Sequence, residues 1–250
     1  MANKKIPGIH NYCDRWCERC DFASRCAIYE GDGQSSSQQN DDKNKVFWSK
    51  LSENFAKAQK LLEEAADRYG VDLNSLASEI ENIEKKEKKR WQENEDHPMS
   101  RLSWQYSDAS RQWLKDQPGM MEKLEALRDS LTLGTDALPE VKAKTDTIRD
   151  CIAVIEWYQT LIHTKLMRAL MGKSDEFAEH DDVQSDFCGS AKIAVMGIDR
   201  SIQAWIKLFE FLPEREDDFL KILAMLERMK GMTIKEFPLA MHFKRPGFDD

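Results

Sequence analysis

The sequence predicts an all-α protein, an antiparallel multi-helix bundle that carries a small N-terminal cysteine-rich metal-binding segment. Three observations predict it. Apolar residues after position 46 recur at steps of three and four, the period of one helix face. No stretch alternates as a half-buried strand does, and no hairpin turn signal or sequence repeat appears. Four of the six cysteines, Cys13, Cys17, Cys20 and Cys26, fall within the same short N-terminal stretch. The chain divides accordingly into a four-cysteine metal- or cluster-binding segment (1–30), a flexible polar linker (31–45) and a helical bundle domain (46–250).

Bulk composition narrows the function classes. The 250 residues can bury a substantial core, and the 41% hydrophobic and 33% charged content suits a soluble helical protein with many exposed ion pairs. A formal charge of -8 argues against a general nucleic-acid binder, which needs a basic face to displace counterions. Lys4 and Lys5 have no apolar segment behind them, so the start is not read as a secretory signal. Nothing approaches the roughly 18 apolar residues of a membrane span, because Glu156, Gln159, His163, Lys165 and Arg168 interrupt the longest candidate. The expectation is a cytoplasmic protein without membrane contact. In such a reducing compartment clustered cysteines act as ligands more often than as disulfides.

The elements follow in order. Gly31 to Asp42 contains no apolar side chain and cannot order itself by burial, hence the linker. Phe47, Leu51, Phe55, Ala58, Leu62, Ala65 and Tyr69 form one helix face, and Gly70 stops it. Asp72 caps a second helix with Leu73, Leu76, Ile80 and Ile83 inward. Glu81–Lys85 and Glu84–Lys88 mark its charged end as a solvated face. Pro98 opens a segment with Leu102, Trp104, Tyr106, Trp113 and Leu114, read as packing aromatics, and Pro118-Gly119 closes it. A short helix is predicted from about Met120 to Leu133.

The longest helix opens near Thr135 or Pro139 and runs to Met171 on a stripe of Val141, Ile148, Ile152, Ile155, Ile162, Leu166 and Ala169. After the acidic loop 175–182, Ser185 or Asp186 caps a helix with Phe187, Ala191, Ala194, Ile198, Trp205, Phe209 and Leu212 inward. Beyond Pro213, Glu214, Glu216, Asp217 and Asp218 open the next helix, and Arg228 and Lys230 close it, both complementing the helix dipole. Thr233 and Glu236 have capping-box spacing for a final short segment.

The cysteine run Cys13-x3-Cys17-x2-Cys20-x5-Cys26 carries the chemistry. A structural zinc site uses two short-spaced pairs split by a longer loop, whereas here all four crowd together. If the segment is helical from Tyr12, then Cys13, Cys17 and Cys20 share one face with Cβ atoms about 5–6 Å apart. Tetrahedral zinc, with Zn–S of about 2.3 Å, brings its sulfurs to about 3.8 Å from one another. A cubane cluster holds its thiolates more widely, so the expected cofactor is a [4Fe-4S] cluster, with zinc as the alternative. Arg15, Arg19 and Arg25 offset thiolate charge, and Trp16 and Phe22 exclude water, which serves either metal. His10 is a further possible ligand.

On those residues Cys13-x3-Cys17-x2-Cys20 resembles the cluster motif of radical SAM enzymes. That family implies an iron left open for its cofactor, a barrel strand before the motif and an aromatic before the third cysteine. Here Arg19 takes the aromatic's place, Cys26 is available to close the site and the following chain is helical, so the assignment is rejected. Cys17-x2-Cys20-x5-Cys26 is similar to part of the auxiliary-cluster motif of SPASM-type domains, a resemblance that implies a four-iron cluster and no activity.

Other chemistry is thin. Glu156 and His163 share one side of the long helix, but Glu-x-x-His, which a di-iron bundle requires, is absent. Cys151 and Cys188 read as packing residues. Phosphate loops, Gly-x-Ser-x-Gly and His-Glu-x-x-His are missing, and the 175–182 carboxylates read as solvated. No catalytic residue is assigned. The expectation is an iron–sulfur protein for electron transfer or redox sensing that meets another protein; the alternative is a zinc-stapled helical protein-interaction module.

Overall fold

In the computed structural model residues 4–29, 40–70, 73–116 and 138–249 are described, and among them every regular element is helical. Three short 3₁₀ turns, Ile9–Tyr12, Cys17–Arg19 and Ala23–Arg25, precede six α-helices. These are α1 (Asn40–Tyr69), α2 (Leu73–Glu95), α3 (Pro98–Lys115), α4 (Leu138–Lys173), α5 (Asp186–Phe209) and α6 (Glu216–Glu236). Among the described residues no helix is long and apolar enough to cross a membrane. The expected helix over 120–133, the Pro118-Gly119 stop and the Asp72 cap lie outside the described residues, as do 30–39 of the expected linker. Residues 40–45, assigned to that linker by composition, are the first turns of α1.

The chain forms two compact units, Met1–Cys26 with Gln92–Asp250, and Ala27–Trp91. In the second unit Gly70 ends α1 in the left-handed conformation (φ 65°), which a residue without Cβ adopts at least cost, and Lys85 pairs with Glu81 at 2.7 Å as the charge pattern requires. The stripe expected to face inward does not. Phe55 is 67% exposed and Tyr69 76%, and Phe47, Leu62, Ile80 and Ile83 are exposed too. Periodicity places these side chains on one face; it does not supply a surface to cover that face.

In the first unit α3, α4, α5 and α6 close a ring in which each helix packs on the next and α6 returns to α3. All neighbours run antiparallel. Ser100 meets Met167 while Ser103 meets His163. Gly172 lies against Phe187, and Gly197 lies against Tyr158. Met99 meets Thr233 while Trp113 meets Phe219. Between α5 and α6, Asp199 pairs with Lys230 while Trp205 packs on Phe219. The predicted stripes of α4 and α5 supply the core, with Ile155, Leu166, Ala191, Ala194, Ile198 and Trp205 fully buried.

The helix starts follow capping chemistry. Pro98 is the first residue of α3 and the His97 ring accepts from the Met99 N–H; the Ser185 hydroxyl accepts from the Cys188 N–H. Of the α3 aromatics, Tyr106 and Trp113 are buried while Trp104 stays half exposed. The predicted capping box is absent: Thr233 lies inside α6, buried, and its hydroxyl donates to the Met229 carbonyl, so the helix runs unbroken to Glu236.

The C-terminal tail folds back onto α5. Phe237, Ala240 and Phe243 are buried, and the Lys192 ammonium donates to the Phe243 carbonyl and to Asp249. The Arg245 guanidinium, hydrogen-bonded to Asp249, holds that carboxyl well below the usual carboxylate range, and Lys192 adds to the effect. A depressed pKa means that the stabilisation is complete above about pH 4, where the unfolded carboxyl has ionised, and is lost as pH falls further. Asp249→Asn is expected to cost on the order of 1–2 kcal/mol at pH 7. Urea titrations should show that gap closing as pH is lowered towards 2; a gap constant with pH contradicts the assignment.

Candidate metal centre

The cysteine segment is a chain of tight turns rather than the helix its 4-and-3 spacing suggested. Cys13, Cys20 and Cys26 each occupy the extended residue that closes a 3₁₀ turn, and Cys17 opens the middle one. The Cys20 N–H donates to the Cys17 carbonyl and the Cys26 N–H to Ala23. Two residues break the helical ladder. The Asp14 carboxylate accepts from the Trp16 N–H two positions on, and Arg15 sits at φ 58°, a left-handed conformation that costs a residue with a Cβ about 1–2 kcal/mol. Cys13, Cys17 and Cys20 therefore do not share a helix face.

The first residues brace these turns. The Ile6 N–H donates to the Arg25 carbonyl, and the Lys5 ammonium donates to the carbonyls of Ser24 and Cys26. Gly247 approaches so closely that a Cβ there would lie 2.8 Å from Ile6, and Phe248 packs edge-on against Phe22. Hence both chain ends of this unit frame the cysteines.

The bundle then fixes the segment in place. Ile9 is buried, and the Tyr12 ring fills the space left by Gly189 while packing on Phe243. Trp16 stacks on Trp157 of α4 with centroids 5.1 Å apart, and the Arg19 guanidinium covers Trp16 at 3.9 Å while pairing with Asp150 at 2.6 Å. Asp14 is the centre of the seam. Its carbonyl accepts from Trp157 Nε1, and its carboxylate accepts from the Tyr158 hydroxyl and from Arg200 of α5. Burial, followed by the Asp14 carboxylate, pushes the Tyr158 hydroxyl far up, so it remains protonated and donating.

The Cys17 thiol lies within electrostatic reach of the other three. Burial pushes the Cys17 thiol up, and the charges of Cys13, Cys26, Glu18 and Cys20 push it further. Burial likewise raises Cys13, against the backbone N–H of Arg15, which lowers it. All six cysteines are free thiols. Among the described residues, however, no group of three or more His, Cys, Asp or Glu side chains converges to hold a metal ion. The expected four-cysteine site is thus an assembly of neighbouring thiols and not a closed cage. The donor chemistry at hand is four thiols with arginines and aromatic rings around them, which would serve a cluster or a zinc ion alike.

His10 places its carbonyl 3.6 Å from the Cys13 sulfur, while its ring Nδ1 is shut off from solvent with no hydrogen-bond partner. A cleft of about 570 Å³ opens where the second turn meets α4 and α5, and Cys20, Trp16, Arg19 and Phe22 stand on its wall with Arg200 and Cys151 opposite. Glu156 and His163 make no acid–base pair: Glu156 is exposed, and His163 Nδ1 bonds the Ser103 hydroxyl at 2.8 Å, burial lowering its pKa. Cys151 and Cys188 are buried packing residues. In the acidic loop, Asp175 and Asp182 cap turns by accepting from Phe177 and Gln184 N–H groups.

Spacing alone singled out the four cysteines as candidates. It missed Asp14, Trp157, Tyr158 and Arg200, whose one sequence signal is the Trp157-Tyr158 pair beside the apolar stripe of α4. Comparison with protein-family models, with curated proteins and with solved structures finds no match to the chain.

Proposed function

We propose that Cys13, Cys17, Cys20 and Cys26 ligate one [4Fe-4S] cluster and that the chain serves electron transfer or redox sensing. The observation that supports this reading best is the placement of the four cysteines at the ends of three successive tight turns, which the Asp14 seam holds against α4 and α5. When bound, such a cluster supplies one-electron exchange. Four-cysteine ligation leaves no iron for a substrate, which is why the reading is a carrier or a sensor rather than an enzyme. The chain's own residues have assignable tasks. Trp16, stacked between Arg19 and Trp157, excludes water on one side, and the Asp14 seam fixes the position of Cys13. Cys20 on the cleft wall gives a redox partner, read as another protein, a short approach to one ligand.

Anaerobic purification of the full chain tests the reading. A brown protein with broad visible absorption is expected, and Cys17→Ser should abolish that absorption together with the bound iron while the bundle keeps its helical circular dichroism. Iron binding unaltered by Cys17→Ser removes the ligand assignment. A colourless wild-type chain with one zinc removes the cluster and leaves the stapled interaction module.

A further inference from the structure

We propose that α1 pairs two copies of the chain as an antiparallel coiled coil; the inference does not depend on what the cysteines bind. Large side chains recur at every seventh position of α1, namely Trp48, Phe55, Leu62 and Tyr69, and each is more than half exposed. Three residues after each of the first three come Leu51, Ala58 and Ala65. Steps of three and four thus alternate without a break from position 48 to 69, the period of a coiled-coil seam sustained over three heptads. A straight helix laid on a domain core drifts from that period by about 20° per heptad and gains nothing by keeping it. A contiguous exposed face of aromatic and aliphatic side chains marks a contact surface.

The face is shaped to receive itself. In an antiparallel pair each position of the first set lies against one of the second, so Trp48 meets Ala65 of the second copy, Phe55 meets Ala58 and Leu62 meets Leu51. Large side chains then enter the space that small ones leave, and the two-fold axis repeats each layer. A parallel pair would instead set Phe55 on Phe55 and Ala58 on Ala58, alternately overpacked and empty. Charge selects the same direction. Lys50, Lys57 and Lys60 precede Glu63, Glu64 and Asp67, so an antiparallel copy lays the basic stretch beside the acidic one, and a parallel copy lays like beside like. Residues 50–68 carry four Lys or Arg and four Asp or Glu, which leaves no net charge to hold an anionic lipid surface.

The test is the mass of the full-length chain by sedimentation equilibrium across a concentration series, with a thiol reductant present because all six cysteines are free. Wild type is expected at the mass of two chains, dissociating on dilution. Phe55→Glu should leave single chains at every concentration. Ala58→Phe, which overfills a layer on each side of the two-fold axis, should raise the dissociation constant at least about 30-fold. Adding Phe55→Ala to it exchanges large for small within those same layers and should return the constant to within about fivefold of wild type. A single-chain mass for wild type at the highest concentration overturns the proposal, whether the chain is then free or sediments with phosphatidylglycerol vesicles. An assembly of more than two chains overturns it too. So does a dimer that Phe55→Glu leaves intact, or an exchange variant that stays as weak as Ala58→Phe alone.

Discussion

Gly189→Ala is expected to loosen the cysteine segment while leaving the bundle almost as stable as before. A Cβ at position 189 would sit 2.5 Å from the Tyr12 ring and 2.7 Å from Phe243, inside any permissible contact. The two rings pack on each other at 4.6 Å, and Phe243 is buried, so the ring with more freedom to leave is Tyr12. Overpacking of this kind costs typically about 1–3 kcal/mol, and a helical Gly→Ala change returns about 1 kcal/mol to α5 itself. The bundle thus loses little net stability, whereas the Tyr12 contact loses the full steric amount. That corresponds to an increase of roughly 5- to 150-fold in the detached population of the segment. The measurement is the rate of metal loss to a chelator beside a urea denaturation curve. Faster loss with a nearly unchanged midpoint is predicted; an unchanged rate contradicts the view that the bundle positions the cysteines.

Trp205→Ala is expected to give the largest loss of global stability. Trp205 is fully buried, packs edge-on against Trp113 at 5.1 Å and against Phe219 at 5.7 Å, and donates its indole N–H to the Tyr106 hydroxyl. Removing the ring leaves a cavity where α3, α5 and α6 meet and takes a hydrogen bond from a buried phenol. Truncations of this kind cost about 3–5 kcal/mol, a large share of the roughly 5–15 kcal/mol that holds a domain together. For a unit of this size the thermal midpoint should fall by about 6–20 °C. Calorimetry checks this, and a fall of only a degree or two would mean that the aromatic cluster is not the centre of the core.

The parts of the fold legible in the sequence are those in which one local pattern has one physical outcome. Ile148, Ile155, Ile162 and Leu166 recur at helical steps and are buried because α4 has neighbours to cover them. Pro98 and Ser185 read as helix starts and Gly70 as a stop because their backbone chemistry acts within three residues. The face of α1 shows the limit of that logic, since Phe55 and Tyr69 have the right period and remain exposed. Ser100, Ser103, Ser107 and Ser110 show the converse: they carry no apolar signal in the sequence, yet all four are buried on α3, where their small size lets the helices approach.

The candidate site divides in the same way. Its four cysteines stood out as candidates because cysteines are rare and their crowding is improbable by chance. The turn geometry was not legible, because a spacing of four and three fits a helix as well as it fits a turn reset by Asp14 and Arg15. The seat on the bundle was hidden for a different reason. Asp14 meets Trp157 and Tyr158 more than 140 positions away, and no local pattern encodes such a meeting.

The stoichiometry of iron and acid-labile sulfide in the anaerobically isolated full-length chain tests the central claim most directly. About four iron atoms and about four sulfides per chain are predicted, both lost in parallel on oxidation. Zinc without sulfide, or a chain free of both metal and sulfide after reconstitution with iron and sulfide, would contradict it.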